Sequence, residues 1–94
     1  IAFNPETMAL VLDDIKMETK QVMENMKEVL LAAGMTFEHV IKTSIFISDM
    51  NNFSQINEVY GNYFNEAVAP ARETVQVARL PKDVNVEISM IAVK

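Results

Sequence analysis

Residues 84 to 92 read VNVEISMIA, a two-residue alternation of apolar and polar residues as far as Met90. Val84, Val86, Ile88, Met90 and Ala92 form a wholly apolar row, and Asn85, Glu87 and Ser89 point the other way. Such a pattern suits a strand with one face buried, because a helical period would scatter the row around an axis. The run before it behaves alike, with Val75 and Val77 apolar and Arg72, Thr74 and Gln76 opposite. Between them lies Leu80-Pro81-Lys82-Asp83. The two strands, near 72 to 79 and 84 to 93, are therefore expected to pair as a hairpin with 79 opposite 84. Residue 75 then faces 88, 77 faces 86 and Gln76 faces Glu87. On this register Arg72 and Glu87 share the face turned away from the helices, roughly 13 Å apart along the backbone.

Two helical patterns precede these strands. From about Asp14 to Ala33, Ile15, Thr19, Val22, Met26, Val29, Leu30 and Ala33 fall on one stripe of a 3.6-residue period. Asp13 or Asp14 can cap its first amides, and Gly34 can end it in the left-handed conformation. HVIKTSIFIS, 39 to 48, is β-branched and reads as a strand. A second helix is expected to about Glu66, with Phe53, Ile56, Val59, Tyr60, Tyr63 and Phe64 on one side, stopped before Pro70. Ile1 to Asn4 is a short apolar strand ending at a turn. The order β-α-β-α-β-β makes residues 1–94 one α+β domain, a single sheet with both helices on one face. At this length a chain buries roughly 60 to 65% of its extended surface.

Composition narrows the function classes. A net charge of −5 argues against nonspecific nucleic-acid binding, which needs a basic surface. The absence of cysteine removes disulfides, thiolate nucleophiles and Cys-based metal sites. No apolar run approaches the roughly 20 residues that span a bilayer, and no basic-then-apolar leader pattern occurs, so a cytoplasmic setting is expected. Gly34 and Gly61 are the only glycines, which leaves no phosphate-cradling loop. His39, the only histidine, has no second ligand nearby and reads as structural. The seven methionines read as core gap-fillers.

Two residues carry chemical potential. Arg72 offers a planar fork that matches a carboxylate or phosphate; the alternative is a structural ion pair or an exposed strand end. Glu87, in mid-strand, is either a base that orients water or a surface carboxylate. The helix-free face mixes these with apolar residues such as Ile91 and Val93, which suggests association with other subunits.

The stretch PAR-x-x-V-x-V-ARLPKD, followed by V-x-V-E-I-x-x-IAV, together with KTSIFISDMNNFSQINEVYGNYF, resembles the RidA (YjgF) family of enamine and imine deaminases along the whole chain. The resemblance implies a chorismate-mutase-like fold, a mixed β-sheet with two α-helices packed on one face. It implies a homotrimer with active sites between subunits, and hydrolysis of reactive imines such as 2-aminoacrylate to a 2-keto acid and ammonia without a metal or organic cofactor. On it, Arg72 would hold a small-molecule carboxylate, Glu87 would position or activate water, and the main chain around Thr74 would help fix both. Where the family often reads PARSCVEV, this chain reads PARETVQV, placing Glu73 and Thr74 at a serine and a cysteine. The resemblance also implies a preceding stretch with a tyrosine and a Ser-Gly pair that wall the pocket, so these residues are expected to be part of a longer chain. Two other readings stay open: a small-carboxylate-binding or regulatory protein of the same fold, and an RNA-cleaving translation inhibitor, which the acidic charge disfavours.

Overall fold

The computed structural model describes residues 1–94. The elements run β1 (Phe3–Asn4), β2 (Ala9–Leu10), α1 (Ile15–Ala32), β3 (Val40–Ile47), α2 (Phe53–Gly61), β4 (Ala71–Gln76) and β5 (Val86–Ala92). The two helices pack on one face of a mixed sheet whose strand order is β4-β3-β5. The short β1 and β2 form their own antiparallel pair, which adds β2 to the order expected from the sequence. Asn25 of α1 ties β1 down by donating to the carbonyls of Ile1 and Phe3 at 3.2 and 2.6 Å.

Helix α1 begins and ends for the reasons its sequence supplies. Asp14 accepts from the amides of Lys16 and Met17 at 2.7 and 3.2 Å, satisfying donors that have no helical partner. Gly34 takes φ +74°, and Met35 N–H reaches back to the Leu30 carbonyl at 2.8 Å while Gly34 N–H reaches Leu31 at 2.9 Å. That is a Schellman closure. Thr19, Val22 and Leu30 of the expected stripe are buried, whereas Val29 is 66% exposed and sits off the stripe. Helix α2 stops at Gly61, short of the expected end near Glu66. The chain tightens there into i→i+3 bonds, and Tyr63 and Phe64 turn onto Phe37, ring centroids 5.5 and 5.3 Å apart and edge-to-face.

The expected hairpin between the last two strands does not form. Strand β4 pairs in parallel with β3, from Lys42 opposite Ala71 to Ile47 opposite Gln76. Strand β5 pairs antiparallel with the other edge of β3, Phe46 opposite Glu87 and Ile45 opposite Ile88. The physical reason is the crossover: β3, α2 and β4 form one β-α-β unit, which makes β3 and β4 parallel neighbours. The LPKD segment is then a bridge, not a tight turn. Pro81–Asp83 coil into a 3₁₀ turn with Lys82 and Asp83 at positive φ (60° and 54°), and the buried Leu80 and Val84 anchor it at both ends.

The core lies between the helices and the β3–β5 side of the sheet. Ile45, Ile47, Val86 and Ile88 meet Val22 and Met23 of α1 and Ile56 and Tyr60 of α2. One core residue is charged. Glu18 is fully buried and accepts three hydrogen bonds, from the Asn85 amide and side chain at 2.8 Å each and from Val86 N–H at 3.1 Å. A carboxylate tolerates burial only when its oxygens are satisfied in this way. The contact clamps the first turns of α1 to the start of β5.

Candidate functional site

Arg72 is the second residue of β4, two positions after Pro70, on the edge of the sheet. Its direct partner across β3 is Thr43, which is fully buried, so Arg72 projects on the helix side. There its Nη1 donates to Asn57 Oδ1 of α2, and its guanidinium lies over the Tyr60 ring, 5.1 Å from the centroid. Asn57 and Tyr60 sit three apart on α2, so both present to the same strand end. The guanidinium borders a cleft of about 330 Å³ between the end of α2 and the segment leading into β4, with Phe64, Glu66 and Pro70 on its walls.

Thr74 follows two residues on, half-buried and on the same face, opposite Ile45. Gln76 completes that row and accepts from Met50 N–H at 2.6 Å. Glu87 lies elsewhere. Its partner is Phe46, while its neighbours Val86 and Ile88 are buried against the helices, so its carboxylate belongs to the helix-free face. The expectation that Arg72 and Glu87 share a face is therefore overturned. The polar row of β4 faces the helical layer beyond the edge of the core, where Asn57 and Met50 N–H receive it. Val75 is left on the helix-free face, 44% exposed. Alternation separates the two rows of a strand, but at an edge it does not decide which row turns inward.

The helix-free face carries Lys42, Ser44 and Phe46 of β3, flanked by Glu73 and Val75 on one side and Glu87, Ser89 and Ile91 on the other. Glu73 accepts from Ser44 Oγ at 2.8 Å and pairs with Lys42 Nζ at 3.7 Å. It points away from Arg72, because successive residues of a strand project to opposite faces. His39 accepts from Thr36 N–H through Nδ1 at 3.0 Å and closes a 3₁₀ turn, a structural role. No cluster of three or more His, Asp or Glu side chains is arranged to hold a metal ion.

Two phenols near the cleft are perturbed. Burial pushes Tyr60 above the usual phenol value, and the Thr43 hydroxyl and the Arg72 charge pull it part of the way back. Tyr63 is pushed up to about 12, by burial first and then by its 2.6 Å hydrogen bond to Glu24 and that carboxylate's charge. Asn57 was not among the residues the sequence singled out, and Tyr60 entered only as a core position. Their three-residue spacing on one helix was the available signal, but nothing in the sequence says which strand end that face meets.

Comparison with known proteins places this geometry among relatives. The family model described as Endoribonuclease L-PSP matches residues 1–94. A RutC family protein of Synechocystis, slr0709, is 50% identical over 94 residues, covering 99% of this chain and 72% of its own length. A 2-iminobutanoate/2-iminopropanoate deaminase of Salmonella typhimurium is 43% identical over 96 residues, covering 100% of this chain and 74% of its own. Among solved structures, Escherichia coli TdcF with bound serine superposes with a TM-score of 0.91 at 44% identity, over 100% of this chain and 75% of that one.

Proposed function

The chain belongs to the Endoribonuclease L-PSP family, the RidA/YjgF group, and within it we propose that it hydrolyses small 2-imino acids and their enamine tautomers to 2-keto acids and ammonia. The observation that carries this reading is the pose of Arg72. Its guanidinium is held from one side by Asn57 and from below by Tyr60, beside an open cleft. A fork fixed in this way binds a carboxylate with little further loss of rotamer freedom. The name of the Salmonella relative supports the same substrate class.

In the proposed reaction Arg72 holds the substrate carboxylate and the Thr74 main chain helps orient it. An enamine first takes a proton from solvent at its terminal carbon and becomes the iminium ion, the protonated form of the imine. Water then adds to the C=N carbon and gives one proton to Glu87, leaving a neutral carbinolamine. Glu87 returns that proton to the nitrogen, which departs as ammonia when the C–N bond breaks, and the hydroxyl proton passes to solvent as the keto C=O forms. Because Glu87 and Arg72 lie on opposite faces of one protomer's sheet, the Glu87 that serves a given Arg72 belongs to a second copy of the chain. The homotrimer implied by the resemblance provides for this. The exposed Val75 and Ile91 (44% and 55%) on the helix-free face support such an assembly. Fixing substrate and water together is the main source of acceleration for a reaction that proceeds unaided in water.

The test is pyruvate and ammonia release from 2-aminoacrylate generated in situ by a dehydratase. Acceleration by the wild-type protein and its loss in Arg72→Ala are expected. No acceleration by the wild-type protein would refute the assignment. A second reading, carboxylate binding without turnover, draws on the same placement: one protomer holds the clamp with its own Glu87 on the opposite face of the sheet. Calorimetric binding of a keto acid by a protein that does not accelerate the reaction would favour it.

A further inference from the structure

We propose that Tyr60 is the positioning residue of this site: its ring is the platform that holds the Arg72 guanidinium toward the cleft. The proposal rests on the reading of Arg72 as the carboxylate clamp.

Three observations converge on it. First, Arg72 sits on an edge strand and is itself exposed, so nothing on the solvent side orders it. The order comes from α2, through the Asn57 amide and the Tyr60 ring at 5.1 Å. A guanidinium over an aromatic face is attracted by the ring quadrupole, and its in-plane N–H donors stay free for a ligand.

Second, the ring is not free to move. Tyr60 is 5% exposed and packs in the central core, its ring 4.8 Å from that of Phe64. Phe64 and Tyr60 both border the same cleft as Arg72. A shift of the ring would therefore reshape the clamp and the cleft wall together.

Third, the sheet aims the clamp at the platform. Thr43, the direct strand partner of Arg72, is fully buried, so the Arg72 side chain leaves the sheet on the side where α2 presents Tyr60.

The test measures 2-oxobutanoate affinity by calorimetry, and KM and kcat in the imine assay, for Tyr60→Phe, Tyr60→Leu and Arg72→Ala. Tyr60→Phe keeps the platform and is expected to hold Kd and KM within about twofold of wild type. Tyr60→Leu removes it and should raise both by roughly threefold to tenfold with kcat nearly unchanged, the split expected for lost ground-state clamping. An unchanged Kd in Tyr60→Leu, alongside lost binding in Arg72→Ala, would overturn the platform and leave the clamp standing. Unchanged binding in Arg72→Ala would remove the clamp and this proposal with it. If Tyr60→Leu does not fold, the Arg72 Nε–H resonance decides in wild type and Tyr60→Phe. An upfield ring-current shift in both supports the platform, and an unshifted resonance overturns it.

Discussion

Arg72 and Glu87 lie on opposite faces of one sheet, on strands separated by β3. Two inter-strand steps part them, roughly 10 Å across the sheet, and the sheet itself blocks the direct line. A single protomer therefore brings a carboxylate clamp and an acid to two different surfaces. A chain that joins them must do so through association, and the helix-free face is the surface available for it.

Placing a charge on that face should separate assembly from folding. Ile91→Asp, at a position 55% exposed in the protomer, leaves the core untouched. The expected outcome is a folded, smaller species by sedimentation with little change in circular dichroism. Imine turnover should fall by about 100-fold or more as the second carboxylate is lost from the site.

The buried Glu18 clamp predicts an asymmetry between two substitutions. Glu18→Leu leaves the Asn85 and Val86 donors without acceptors and should destabilise by about 3 kcal/mol. Glu18→Gln keeps one oxygen for the two backbone amides, and Asn85 can flip its own amide to accept from the new donor. Its cost should stay within about 1 kcal/mol. Urea unfolding of the two variants checks the difference.

Gly34 closes α1 at φ +74°, and a Cβ there would meet Lys94 Nζ at 3.0 Å. The lysine end can move, so the backbone term dominates. Gly34→Ala should cost about 1 to 2 kcal/mol, read as a lowered Tm with unchanged turnover.

Alkaline titration should show both tyrosines resisting ionisation. Tyr63 is held at about 12 and Tyr60 above the ordinary phenol value of about 10. A raised folded value means that the native state holds these protons more tightly than the unfolded chain. The stabilisation is complete below about pH 10 and is lost as pH rises through the folded value. Phenolate absorbance should therefore lag that of the urea-unfolded protein, and Tyr63→Phe should remove part of the lag.

The helices, the central strand and the α+β class were legible because their signals are local: Asp14 caps, Gly34 closes, and the rows of β3 and β5 alternate. The pairing of β4 was not. Whether a strand joins its successor or crosses over to an earlier strand depends on α2 as a connector, and the LPKD segment resembles a turn while acting as a bridge. Arg72 could be found from its motif and its fork chemistry. Its face could not, because at a sheet edge a polar row can turn inward and find partners such as Asn57 and Met50 N–H. Glu18 escaped notice because its three donors lie far away in sequence, at Asn85 and Val86.

The most direct measurement of the central claim is complementation between two inactive variants. Arg72→Ala and Glu87→Gln are each expected to lose imine turnover, and mixed oligomers are formed by refolding or co-expression. If Arg72 of one protomer works with Glu87 of another, random assortment restores about one site in four, and turnover returns toward a quarter of wild type. Mixed oligomers that form and remain inactive would contradict it, because they would place both residues of each site in the same protomer.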